Sequence, residues 1–155
     1  MVKLAGMSRQ ILFLCTGNYY RSRFAEYLFN HMAKNAGLNY TATSRALAIE
    51  MGVFNIGPVS IHTRKYLADL GIMLEDPIRH PMQCDEADLQ SAFKVIAVKE
   101  AEHRPMLAER YPNWPDKAEY WNVHDLDQST PIEALKEIES HVKQLIAKLT
   151  TVDAV

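Results

Sequence analysis

The stretch Ile11-Leu12-Phe13-Leu14-Cys15-Thr16-Gly17-Asn18-Tyr19-Tyr20-Arg21-Ser22 decides how this chain reads. Gln10 to Leu14 is short, apolar and followed by the turn-forming Thr16-Gly17-Asn18, which is the pattern of a buried strand. Ser22 to about Asn35 reads as a helix. Phe24, Leu28 and Met32 fall four apart on one face, Ser22 can cap the start, and Gly37 stands where a helix stops. A cysteine therefore ends a buried strand, and after five intervening residues an arginine stands at the mouth of a helix. In open α/β sheets, ligands bind at the carboxyl ends of the strands.

A strand–loop–helix turn of this size lets several backbone N–H groups converge on one point. That is an anion cradle, strengthened by the helix N-terminus, and phosphate suits it best. Arg21 can add a planar bidentate clamp on two phosphate oxygens, and Gly17 permits close backbone approach. The positive surroundings favour the thiolate of Cys15, which can then attack phosphorus. The Ser22 hydroxyl is placed to hydrogen-bond that thiolate. The expected phosphate-binding set is Thr16, Gly17, Asn18, Tyr19, Tyr20, Arg21 and Ser22. The Gly-Lys-Ser/Thr ending of a nucleotide-binding loop is missing. A cysteine at a strand end is elsewhere a small core residue. Here the arginine and serine at this spacing turn the reading toward chemistry.

Outward from this stretch, strands and helices alternate, which predicts an α/β domain with a largely parallel sheet. Tyr40 to Ser44 is a second strand, Arg45 to Val59 a long loop, and a helix follows from Ser60, with Ile61, Leu67 and Leu70 as its apolar positions and Gly71 as its stop. Asp76 to Gln83 holds Pro77 and Pro81 and reads as loop. Asp85 to Ala92 is a short helix, Lys94 to Val98 a central strand, and Ala101 to Tyr111 a helix in which Pro105 must lie in the first turn or cause a break. Ala118 to Val123 is the last strand. In the final helix Thr130 is the cap, Pro131 the first helical residue and Glu133 the partner in a capping box. Ile132, Leu135, Ile138, Val142, Leu145 and Leu149 form its apolar stripe, which is expected to pack on the sheet.

The 155 residues suit one domain, residues 1–155, in which residues 1–8 read as a flexible N-terminal extension. A net charge of −2 and scattered aromatics, Trp114 and Trp121 among them, give no support to a nucleic-acid binder. The apolar run Ile11–Leu14 is too short to span a membrane. Two cysteines, Cys15 and Cys84, fit the reducing cytoplasm better than a disulfide scaffold. The six histidines show no metal-ligand spacing, and the loop itself supplies the positive field, so neither a metal nor an organic cofactor is expected. The charged segment from Lys99 to Arg110 reads as a solvated helix face.

The loop resembles that of the low-molecular-weight protein-tyrosine phosphatases, whose pattern is Cys-x-Gly-Asn-x-x-Arg-Ser. Cys15, Gly17, Asn18, Arg21 and Ser22 match it, and Ala25-Glu26 extend the match into the helix. Leu70-Gly71-Ile72 and Ala87-Asp88-Leu89 support the likeness more loosely. The resemblance implies a three-layer fold with a four-stranded parallel sheet in the order 2-1-3-4. It implies a phosphomonoesterase acting through a phosphocysteine on Cys15, with Arg21 clamping phosphate. The partner is then a phosphorylated protein or small phosphomonoester, with inorganic phosphate or another oxyanion in the loop.

The family also uses a late-loop aspartate as general acid, because a departing alkoxide or phenoxide must be protonated. By the resemblance this is Asp125, after Trp121-Asn122-Val123-His124, with Asp127 as the alternative. His124 could tune the acid or be incidental. Leu126 replaces the usual proline, and Asp127 and Gln128 stand where tyrosines are common, which weakens phosphotyrosine itself as substrate. Tyr20 stands where a second cysteine is frequent. Arg23 replaces a proline and adds positive charge near the mouth. Tyr19 can wall a substrate ring or simply pack the loop. Thioredoxin-linked arsenate reductases share this loop but relay a disulfide through further cysteines. Cys84 alone cannot supply that relay and reads as an inert thiol. The alternatives are an arsenate reductase using the same thiolate, for which Cys84 could form one disulfide with Cys15, and a phosphate- or phosphopeptide-binding module without catalysis.

Overall fold

The computed structural model describes residues 8–153; residues 1–7 of the expected extension lie outside the described residues. The strands are β1 (Arg9–Cys15), β2 (Tyr40–Ala46), β3 (Lys94–Ala97) and β4 (Glu119–Tyr120). They form one sheet in the order β2-β1-β3-β4. All three pairings are parallel, with Phe13 opposite Ser44 on one side and Ile96 on the other. The helices are α1 (Arg21–Asn35), α2 (Ile61–Asp69), α3 (Glu86–Ser91), α4 (Glu100–Arg110) and α5 (Pro131–Asp153). This is the α/β architecture and strand order that the resemblance implied.

Strand β1 explains the layering. Successive side chains of a strand point to opposite faces, and a central parallel strand is covered on both. Ile11 and Phe13 join Phe24, Leu28 and Phe29 of α1 and Leu135, Ile138 and Val142 of α5 in one cluster. Leu12 and Leu14 join Leu89 of α3 and Leu107 of α4 in the other. From Leu135 to Leu149 the α5 stripe is buried as its spacing predicts, but Ile132, in the first turn, is exposed. The cap of α5 is reciprocal, with Glu133 N donating to Thr130 Oγ1 at 3.2 Å and Thr130 N to Glu133 Oε1 at 3.0 Å.

Several local expectations change. The cap position of α1 is Tyr20, without a side-chain cap; Ser22 lies one residue inside the helix and turns toward Cys15. Strand β2 runs on through Arg45 and Ala46, and a short 3-10 turn, Ile49–Gly52, interrupts the expected loop. In α2 only Thr63 and Leu67 are buried, while Ile61 and Leu70 face outward. Pro105 neither starts nor breaks α4. It shares an exposed face with Ala101, where a carbonyl deprived of its helical partner can turn to water. Strand β4 is only two residues long, yet Trp121 N still donates to Ala97 O and Val123 N to Val98 O. That continued pairing carries residues 123–127 to the end of β1.

Candidate active site

A cleft of about 730 Å³ opens at the carboxyl end of β1 and β3. Cys15, Thr16, Gly17, Tyr19, Tyr20 and Arg21 line it, together with Asp125, Leu126 and Asp127 from the last loop. Cys15 is 3% exposed. Its Sγ lies 2.9 Å from Ser22 Oγ, and Asn18 Nδ2 donates to that same hydroxyl oxygen at 3.0 Å. With the oxygen accepting from Asn18, the Ser22 proton is free to point at sulfur.

Asn18 and Ser22 sit beneath the loop and do not line the cleft. Asn18 has φ +54°, a left-handed conformation that asparagine tolerates better than most residues. Its amide also donates to Ser44 Oγ at 2.8 Å, and its Oδ1 accepts from Arg79 Nη1 at 3.0 Å and from Met82 N at 3.1 Å. The side chain of Asn18 is thus the loop's anchor to β2 and to the segment after α2. Arg23 is fully buried behind the loop, donating to the carbonyls of Asn18, Pro58 and Arg79 and to Tyr27 Oη. The positive charge expected at the mouth is instead spent on tying three segments together.

Arg21 is 2% exposed. Its Nη1 donates to Val123 O at 2.9 Å and to Glu102 Oε1 at 3.1 Å, and its Nη2 donates to Glu102 Oε2 at 2.8 Å. The Nε is buried with no partner. The end-on fork is therefore taken by Glu102, Asp125 stands near Nη2, and Nε keeps an unused donor. Asp125 Oδ2 lies 3.4 Å from Nη2. Asp125 Oδ1 accepts from Leu126 N at 2.8 Å, and the carbonyl of Asp125 accepts from Gln128 N and Ser129 N. Lys99 Nζ reaches Gln128 Oε1 at 3.1 Å, which ties the loop after β4 to the start of α4 although the loop lacks the proline. Asp127 lines the cleft without an ion pair to Arg21. His124 Nδ1 is buried and unpartnered, with no recorded contact to Asp125.

Glu102 and His103 are the residues that the sequence reading missed. The start of α4 turns both inward, so the segment from Lys99 is not simply a solvated face. Lys99 N donates to His103 Nδ1 at 3.1 Å, which leaves the ring proton on Nε2, 3.1 Å from Glu102 Oε2. Burial holds the His103 pKa below its ordinary value, against the pull of Glu102. Burial pushes the Glu102 carboxyl up, but bonds from His103 and Arg21 and the Arg21 charge outweigh it and hold the group well below the usual carboxylate range. Thr16 Oγ1 also donates to Glu102 Oε2. The only clue in the sequence was a charged helix beginning directly after the third strand.

Tyr19 Oη donates to Ile56 O at 2.5 Å and its ring packs against the larger core cluster. Tyr20 is buried, and burial first, then the charge of Asp125, pushes its phenol up to about 12. Cys84 lies in the smaller core cluster, and burial followed by the charges of Asp88 and Asp85 pushes its thiol up to about 12. Among the described residues no three His, Cys, Asp or Glu side chains are grouped to hold a metal, and no helix is long and apolar enough to cross a membrane.

Comparison with known proteins bears on this geometry. No curated protein sequence matches the chain. A low molecular weight protein tyrosine phosphatase from T. tengcongensis is 26% identical and superposes with a TM-score of 0.71, covering 96% of this chain and all of the other. YfkJ from Bacillus subtilis is 25% identical with a TM-score of 0.79, over 95% of this chain and 98% of its own. Wzb from Vibrio vulnificus, solved in complex with benzylphosphonate, is 17% identical with a TM-score of 0.75, over 92% and 99%; at that identity it speaks for the fold alone. The profile of the low molecular weight phosphotyrosine protein phosphatases matches residues 10–154, so the chain belongs to that family of hydrolases.

Proposed function

We propose that this phosphatase hydrolyses phosphomonoesters through a phosphocysteine on Cys15, acting on a phosphorylated protein or a small aryl phosphate in the cytoplasm. The observation that carries the reading is the unpartnered, buried Nε of Arg21 beside a Cys15–Ser22 contact of 2.9 Å. A polar group so buried costs stability until something accepts from it, and a phosphate seated in the loop does so side-on.

In the first step the Cys15 thiolate attacks phosphorus and the bond from phosphorus to the leaving oxygen breaks. Asp125, protonated at the start, gives its proton to that oxygen. In the second step Asp125, now a carboxylate, takes a proton from water as the water oxygen attacks phosphorus. The P–S bond breaks, its electron pair returns to sulfur, and inorganic phosphate leaves. Arg21 and the amides from Thr16 to Ser22 stabilise the equatorial oxygens in both transition states. Nothing in this sequence requires a cofactor.

Asp125 is preferred to Asp127 on position: its carboxylate lies 3.4 Å from Arg21 Nη2, beside the group that would clamp the phosphate. The buried, hard-to-ionise Cys84 gives no support to a disulfide relay to an arsenate adduct. The test is hydrolysis of p-nitrophenyl phosphate over about pH 4.5–8 by wild type, Cys15→Ser and Asp125→Asn. The reading expects acid-favoured turnover, abolition at Cys15 and a loss of about 10²–10⁴-fold at Asp125. Tight binding of vanadate without turnover by wild type overturns it in favour of a binding module.

A further inference from the structure

Beside the cleft lies a groove of about 980 Å³ whose occupant the chemistry of phosphate transfer does not explain. Its apolar lining includes Phe54, Ile56, Ile61 and Met73, which are 95%, 87%, 73% and 77% exposed. Solvent-exposed apolar side chains are ordinary when scattered singly. Here four share one hollow, and Met51 and Leu126, also exposed, stand at the mouth of the neighbouring cleft. The cations Arg64 and Lys65 of α2 border the groove, and neither makes an ion pair among the described residues. Tyr19, Asn55 and Ile61 line both hollows, so the groove is continuous with the cleft.

From this continuity and this charge we propose that the groove seats the segment of a phosphoprotein substrate flanking its phosphorylated residue, with a large apolar side chain on the Phe54–Met73 floor and an acidic side chain against Arg64 and Lys65. The inference rests on the phosphatase reading and adds a substrate class to it: phosphoproteins whose phosphosite has an apolar and an acidic neighbour. The groove acts on affinity for the protein substrate and leaves the chemical step alone. Small aryl phosphates, which cannot reach it, are indifferent to its composition.

The test uses two phosphotyrosine peptides that differ only in the flanks, one carrying Leu and Glu and the other Gly and Ser, with the flank placed on either side. Wild type is compared with Phe54→Ser/Met73→Ser and with Arg64→Glu/Lys65→Glu. The expected result is a preference of wild type for the Leu/Glu peptide of about tenfold in kcat/KM, the scale of one buried apolar side chain. That preference resides in KM and is lost in both double variants, while p-nitrophenyl phosphate turnover stays unchanged. Peptide affinity for Cys15→Ser, read by fluorescence anisotropy, repeats the comparison without turnover, so a failed phosphatase reading leaves the groove still tested. Equal affinity for the two peptides overturns the proposal. So does concentration-dependent self-association of wild type abolished by Phe54→Ser/Met73→Ser, which assigns the groove to a second copy of this chain. Co-sedimentation with phosphatidylserine vesicles in place of any peptide preference assigns it to a lipid surface, with the same consequence.

Discussion

Glu102 grips Arg21 end-on, its Oε1 taking Nη1 at 3.1 Å and its Oε2 taking Nη2 at 2.8 Å, while His103 and Thr16 hold the same Oε2. A buried guanidinium has several rotamers that satisfy its charge, and only some can present an edge to a phosphate in the loop. Val123 O and Glu102 together select one of them. Replacing Glu102 by Ala frees the fork and leaves a buried cation short of a partner. The expected result is a fall of about 10–10²-fold in kcat/KM for p-nitrophenyl phosphate, the scale of a misplaced catalytic group. The vanadate inhibition constant rises in parallel, and Glu102→Gln recovers part of the loss because its amide oxygen still accepts one bond. A rise in activity in Glu102→Ala gives the opposite assignment, a carboxylate that competes with phosphate for Arg21.

The two acids of the last loop separate by the same reasoning. Asp125 is half-exposed, stands 3.4 Å from Arg21 Nη2 and is tethered through Leu126 N. Asp127 lines the cleft with no such tether. Asp125→Asn is expected to lower kcat by about 10²–10⁴-fold. Asp127→Asn is expected to stay within about threefold, as an exposed loop substitution should. Steady-state kinetics on aryl phosphates with good and poor leaving groups checks this. The Asp125 defect grows as the leaving group worsens, and an equal defect at Asp127 transfers the acid role.

What could be read in the sequence was whatever depends on local pattern. Strand β1, the α5 stripe and the Cys15–Arg21 spacing are each written in one contiguous run of residues, and their geometry follows from period and turn chemistry. What could not be read depends on side chains meeting across the fold. Glu102 is one acid among several in a polar helix. Only the pairing of β3 beside β1 brings the start of α4 to Arg21. Arg23 is similar: a charged residue in a first helical turn reads as solvated. Its burial follows from carbonyls supplied by Pro58 and Arg79, far along the chain. The brevity of β4 was hidden for a third reason, since the apolar residues after Tyr120 keep contact with β3 without remaining in the ladder.

Asn18 combines a left-handed backbone with a fully buried amide that makes four hydrogen bonds. Asn18→Gly keeps the conformation and loses the bonds; Asn18→Ala loses both. The expected destabilisation is about 2 kcal/mol or more for Gly from buried bonds left unmade, with about 1 kcal/mol further for Ala from backbone strain. Urea unfolding midpoints measure it. Equal midpoints for the two variants show that the conformation at this position carries no strain.

Acid is expected to weaken the fold in two stages. His103 is held neutral by burial and by the Lys99 N–H that enters Nδ1, so its folded pKa lies below the ordinary 6.5. As pH falls below that value the unfolded chain takes up a proton that the folded chain refuses, and stability drops. His141, stacked on Trp121 and also lowered by burial, adds to the same slope. Glu102, whose folded carboxyl stays ionised well below its ordinary 4.5, contributes the second stage as pH falls under that value. Equilibrium urea unfolding between about pH 3.5 and 7.5 therefore shows a decline beginning near the ordinary histidine pKa and a second beginning near the ordinary carboxylate pKa. In His103→Gln the first decline shrinks, and in His103→Gln/His141→Gln it disappears while the second remains. Persistence of the full first decline in the double variant places its origin in groups other than these two rings.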